Sequence, residues 1–159
     1  MNDEKVELDV HTAKVLEGAL NFHDQVVGAI MTPWDQCFKL NMNDRLNFET
    51  LLHIFKKGHS RIPVVHIVHG QETLAGMILA KDLILLDPED EIPASTLVQL
   101  FEHKIVTTFS DNSLSFMLRE FQTGLSHLAI VRDVDDSGFG DPVYVLKGYT
   151  TLQLFFSDD

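Results

Sequence analysis

Apolar positions along this chain fall into helical and strand-like rhythms that succeed one another twice. Val10, Ala13, Val15, Leu16, Leu20 and Phe22 recur at roughly helical spacing and predict a helix over 10–27. Val26 to Met31 predicts a second short helix, ended at Thr32-Pro33 because the residue before a proline is pushed out of the helical region. Cys37 to Leu40 reads as a short strand. Asn43-Asp44 then offers an N-cap to a helix carrying Leu46, Phe48, Leu51, Leu52, Ile54 and Phe55, closed by Lys56-Lys57-Gly58. Arg61–Val68 and Leu74–Leu79 predict two strands joined by a hairpin turn at Gly70-Gln71-Glu72. Lys81 to Leu86 predicts a short helix before the acidic loop Asp87-Pro88-Glu89-Asp90-Glu91.

The second half runs through the same order. Leu97 to Phe101 predicts a helical turn and Val106 to Phe109 a strand. Asp111 is the expected cap of a helix over Ser113–Gln122, stopped by Thr123-Gly124. Strands are expected at Leu128–Val134 and Val143–Thr150, with the polar loop 135–142 between them and a final short helix near Leu152–Phe156. The repetition reaches individual residues. Phe55-Lys56-Lys57-Gly58-His59-Ser60 is echoed by Phe121-Gln122-Thr123-Gly124-Leu125-Ser126, each followed by an apolar strand. Repetition on this scale signals two copies of one supersecondary unit packed together. The expected fold is therefore α/β (α+β): two tandem β-α-β-β-α repeats packed through small mixed sheets. The expected division is an N-terminal tail and linker helix over 1–27, a first repeat over 28–91 and a second over 92–159. Residues 1–8 are polar and expected to be disordered.

Composition narrows the function. A net charge of −12 argues against nucleic acid, which needs a basic face to displace counterions. A phosphate ligand remains possible where a local cation and backbone amides meet it. The single cysteine, Cys37, excludes an intramolecular disulfide and reads as a buried structural thiol. No secretory leader is visible and no apolar run approaches the ~20 residues of a membrane span, so the chain as given reads as soluble.

The ordered motifs carry a resemblance. Two tandem β-α-β-β-α units look like a pair of CBS (cystathionine-β-synthase) domains, a Bateman module. Phe22-His23-Asp24-Gln25-Val26-Val27-Gly28-Ala29-Ile30-Met31-Thr32-Pro33, then Ser60-Arg61-Ile62-Pro63-Val64, then Lys81-Asp82-Leu83 with Asp87-Pro88-Glu89-Asp90, resemble the CBS pair of the cyclin-M (CNNM) magnesium-transport mediators and their bacterial CorC-like relatives. Ser126-His127-Leu128-Ala129-Ile130-Val131 and Gly140-Asp141-Pro142 with Tyr144 resemble the animal branch. The likeness covers about residues 10–155. It implies the cytosolic regulatory part of a membrane protein, with its parent in the plasma membrane: a homodimer that is not an enzyme, binds Mg-ATP and engages phosphatases of regenerating liver (PRL).

On that resemblance Thr32, Arg61 and Thr151 match the nucleotide-contacting positions: two hydroxyls and a guanidinium, as a phosphate requires. The sequence departs from the family three residues after Thr151, where Leu154 replaces the aspartate expected to hold the ribose hydroxyls. The first repeat keeps its aspartate, Asp82, but has Leu79 where the hydroxyl residue belongs. Neither repeat carries the full set, so nucleotide binding is expected to be weak or lost. The loop 135–142 is by resemblance the phosphatase-binding segment, with Asp141 as a carboxylate mimic of the substrate phosphate. Gly140 permits close approach, Pro142 stiffens the loop, and Phe139 and Tyr144 offer apolar anchors.

Other constellations are poorer. His66 and His69 stand at a spacing that puts them on opposite faces of a strand, so no metal site is expected there. Asp87, Glu89, Asp90 and Glu91 read as a charged linker. No Ser-His-Asp or Cys-His arrangement has local support, and Trp34 beside Pro33 is expected to pack at a domain junction or dimer contact.

Overall fold

A computed structural model describes residues 9–132 and the backbone of 142–147. The helix α1 covers Val10–His23 and a short 3-10 turn follows at Val27–Ala29. Strand β1 is Thr32–Pro33, followed by a 3-10 turn at Trp34–Gln36 and by β2, Leu40–Asn41. Next come α2 (Phe48–Lys57), β3 (Arg61–Val68), β4 (Gln71–Leu79) and a 3-10 segment at Ala80–Leu85. The second half has α3 (Ala94–Phe101), β5 (Val106–Phe109), α4 (Leu114–Gln122), β6 (Leu128–Arg132) and β7 (Pro142–Lys147).

The strands pair identically in the two halves. β2 runs parallel to β3 across α2, and β3 is antiparallel to β4. β5 runs parallel to β6 across α4, and β6 is antiparallel to β7. The echo read from the sequence is therefore a repeat of topology. The middle strand of each sheet is covered on both faces, which its unbroken apolar run demands: Ile62–Val65 and Leu128–Val131 are all buried. Beyond Val65 the β3–β4 hairpin leaves this cover, and His66, Ile67 and Val68 are exposed.

Each half is completed by the segment that precedes the other half. Val27 and Gly28 donate backbone hydrogen bonds to the carbonyls of Asn112 and Ser110, and Leu114 donates to Gln25. In the same way Leu46 donates to Ile92, while Ala94 and Ser95 donate to Asp44 and Met42. Phe22 and Val27 accordingly join the core of the second half, with Leu114, Met117, Phe121, Ala129 and Val131. Ala94 and Leu97 join the core of the first, with Leu46, Ile54, Ile62 and Ile78. β1 also crosses over, pairing with β7 at the edge of the order β1-β7-β6-β5. A third cluster of Cys37, Met77, Leu128 and Ile130 lies between the sheets, with Trp34 packed against it, so Trp34 sits at the junction its position suggested.

This exchange corrects the two expected helix caps. α2 starts at Phe48 with Asn47 as its cap, the Asn47 side chain accepting the Thr50 N–H at 3.0 Å. Asp44 instead turns back to accept the Asn41 N–H at 2.8 Å. Likewise Ser113, not Asp111, caps α4 by accepting the Phe116 N–H at 3.2 Å. The reason is common to both. In each case a turn comes first, closed by the Asp44 N–H to Asn41 or the Asn112 N–H to Phe109, and the crossing segment then takes the amide of Leu46 or Leu114, so the helix starts only after it. Two further differences follow from local chemistry: α3 begins at Ala94, directly after Pro93, and the expected strand at Cys37 starts only at Leu40 because a 3-10 turn occupies Trp34–Gln36. Gly58 closes α2 in the left-handed region at φ 70°, its N–H reaching Ile54 and Phe55, as its place after two lysines predicted.

Candidate functional site

Arg61 opens β3 directly opposite Leu79 at the end of β4. Its guanidinium is half-buried, and loss of solvent lowers its pKa from the usual arginine value. It has no hydrogen-bond or ion-pair partner among the described residues. An anion from outside would meet here a partly desolvated cation that has no counter-charge among the described residues.

The neighbouring carboxylate is occupied. Asp82 lies in the 3-10 segment that follows β4 and is 6% exposed. Its Oδ2 accepts the Leu79 N–H at 3.0 Å, fixing the strand end. The same oxygen lies 2.7 Å from Nε2 of His103, whose ring stacks on Phe101 at 5.8 Å between centroids and 8° between planes. Sequence reasoning missed His103. It stands 21 residues from Asp82, beyond any local spacing rule, and only the packing of α3 on the first half brings the two together.

Thr32 belongs to the other sheet, half-buried in β1 opposite Val145 of β7. It and Arg61 thus come from different sheets, with no hydrogen bond between them. Thr151, Leu154, Phe139, Gly140 and Asp141 lie outside the described residues. Of the loop's neighbours, Pro142 pairs with Arg132 at the end of the sheet, and Tyr144 lies in register between Val131 and Pro33. A cleft of about 740 Å³ runs along α2, with Phe38, Lys39, Arg45, His53 and Lys56 on its walls, and includes none of these residues.

The remaining candidates are structural. Cys37 is buried and its thiol donates to the Phe38 carbonyl at 3.6 Å. Trp34 Nε1 donates to Glu72 at 2.9 Å, and the Lys39 ammonium binds the same oxygen at 2.8 Å while lying 4.6 Å over the indole. His69 sits in the hairpin turn at φ 50°. Asp87 accepts the Glu89 amide within a short turn. Among the described residues no cluster of three metal-ligating side chains occurs, and no helix is long and apolar enough to cross a membrane.

Residues 27–89 match the CBS domain family. That stretch is a CBS domain. The matched stretch is the first repeat, and the second repeats its strand pairing, so the molecule is a tandem CBS arrangement. The chain is 35% identical over 143 residues to the metal transporter cnnm-1 of Caenorhabditis elegans, a match that takes in 88% of this chain and 17% of that protein. The chain therefore spans about a sixth of the length of that relative. Among solved structures, the CBS domain of a bacterial CNNM/CorC family Mg2+ transporter in complex with the inhibitor IGN95a superposes with a TM-score of 0.74 at 19% identity, covering 96% of this chain and 88% of that one. A structure of such a domain in complex with ATP gives 0.72 at 20% identity, covering 92% and 98%. These structural likenesses establish the CBS fold.

Proposed function

We propose that this chain is the non-catalytic regulatory CBS module of a cyclin-M-type magnesium-transport protein, facing the cytosol as a homodimer. The 35% identity to a metal transporter over 143 residues carries this reading. Dimerisation is supported by an apolar face on the first repeat. Phe48, Leu52 and Phe55 lie three or four residues apart on α2, and Ile84 and Leu85 on the neighbouring 3-10 segment; all five are exposed, Phe48 at 70% and Leu85 at 85%. A second copy covering this face would remove that apolar surface from water.

In the same reading, Asp141 engages a PRL-type phosphatase as a pseudo-substrate. Its sequence neighbours Gly140 and Pro142 support this, as does the end-of-sheet position of Pro142 opposite Arg132. A carboxylate presented to a pocket made for a phosphate oxyanion needs only that pocket's arginine and amides. Calorimetric titration of a PRL phosphatase with the wild type and Asp141→Ala tests it: binding is expected to be lost with the carboxylate, and equal affinity for both overturns the assignment.

The second reading is a nucleotide sensor, favoured by the partly desolvated Arg61 guanidinium, which meets no counter-charge among the described residues. Mg-ATP is its ligand, with Thr32 and Thr151 as supporting hydroxyls and Leu154 weakening the ribose contact.

A further inference from the structure

We infer that Glu72 is a positioning residue for the segment that carries Asp141, acting through Trp34, so that a clasp in the first repeat aims the phosphatase-binding segment of the second. This inference rests on the pseudo-substrate reading of Asp141 and concerns what holds the base of its segment.

That segment joins Arg132, at the end of β6, to Pro142, at the start of β7, and these two residues pair. The register slips beside them. Val131 pairs with Tyr144 and Arg132 with Pro142, which leaves Val143 as an extra residue on β7. A bulge of this kind bends and re-aims its strand. Its direction then depends on what lies along the strand's other edge. That edge is covered by β1, which offers only two residues, Thr32 opposite Val145 and Pro33 opposite Tyr144. The antiparallel pairing runs β1 toward the Pro142 end of β7. The turn that follows opens with Trp34 and contacts β7.

Trp34 therefore anchors β1 beside the base of that segment. Its side chain packs on the cluster that holds Met77 of β4 and Ile130 of β6, so it touches both halves. Its orientation is set from the first repeat. Nε1 donates to Glu72 Oε2 at 2.9 Å, and Lys39 Nζ reaches the same oxygen at 2.8 Å. The Lys39 ammonium also donates to the Trp34 carbonyl at 2.8 Å and lies over the indole. Glu72 stands on β4 opposite Ile67, in the part of the hairpin that extends beyond the sheet's cover. Its side chain is 36% exposed, and an ion pair this open adds little to stability. What it adds is direction: one carboxylate oxygen ties both the ring and the backbone of Trp34 to one point of the hairpin. Releasing that point frees β1 and with it the edge of β7. Phosphatase affinity then falls by the fraction of molecules in which the segment is still held.

Calorimetric titration of a PRL phosphatase, with thermal unfolding of the same samples, tests the inference. Glu72→Ala should weaken binding about tenfold, the weight of one hydrogen bond to a charged group, while thermal stability changes little. Glu72→Gln keeps an oxygen that accepts from both Trp34 and Lys39 and should bind near wild type. Asn47→Ala removes a helix cap outside the clasp and should bind like wild type despite its lower stability. Wild-type affinity in Glu72→Ala overturns the inference. Equal weakening in Asn47→Ala also overturns it, since the effect would then be one of stability. Should Glu72→Ala fail to fold, the unmutated sequence serves. Trp34 is its one tryptophan, so 5-fluorotryptophan labelling gives a single 19F signal. Saturation with the phosphatase should shift that signal, and binding that leaves it in place overturns the inference. Wild-type binding that is lost in Asp141→Ala and unchanged in Glu72→Ala rejects only the positioning role. No binding by the wild type rejects the pseudo-substrate reading and the positioning role with it.

Discussion

Gly76 of β4 lies directly beneath Val98 of α3. A Cβ added there would overlap Cγ1 of Val98 and stand 3.2 Å from Cγ2, so the helix rests on bare backbone. Gly76→Ala should therefore cost about 1–3 kcal/mol through overpacking, measured by urea unfolding. Gly58→Ala is the contrast. Nothing lies within 4 Å of its Cβ, and its cost, about 1 kcal/mol, would come from the left-handed backbone alone. Combining Gly76→Ala with Val98→Ala should recover much of the first loss, since the clash is with that one side chain.

The exchange of segments between halves makes a second prediction. A chain ending at Glu91 loses Ala94 and Leu97, which are 0% and 1% exposed in the core of the first half. It also loses the carbonyl of Ile92 that takes the Leu46 amide. Such a fragment should show no cooperative thermal transition by circular dichroism, whereas the full chain shows one. A folded fragment would mean that the crossing segments are dispensable.

Helix caps offer a sharper check of the same arrangement. Asn47→Ala and Ser113→Ala should each cost about 1 kcal/mol. Asp111→Ala, whose side chain caps no helix here, should change stability by less than about 0.5 kcal/mol. The reverse ranking would restore the caps expected from sequence.

The apolar face on α2 sets the oligomeric prediction. Phe48→Glu with Phe55→Glu places charges on residues 70% and 51% exposed, so the protomer fold should survive. Sedimentation should show a dimer for the wild type and a monomer for the variant. A variant that stays dimeric moves the interface elsewhere.

For the nucleotide reading, Leu154→Asp should raise Mg-ATP affinity about tenfold by restoring an acceptor for the ribose, and Arg61→Ala should abolish binding. Calorimetry decides. No gain from Leu154→Asp would remove the stated reason for weak binding.

The sequence by itself determined the repeated β-α-β-β order, because local period and punctuation set each element. Arg61–Val68 and Val106–Phe109 came out with the bounds read from their apolar runs, and Gly58 closed its helix where predicted. These features depend on neighbours a few residues away. The helix caps did not follow the local rule, because amides of Leu46 and Leu114 are taken by carbonyls 46 and 89 residues distant in sequence, at Ile92 and Gln25. For the same reason the pairing of Asp82 with His103 and the seating of Val98 on Gly76 were invisible. Each is decided by which surfaces must be buried together once both halves exist. Hydrophobic burial is non-directional, so the pattern says that α3 needs a cover and only the assembled fold says that β4 provides it.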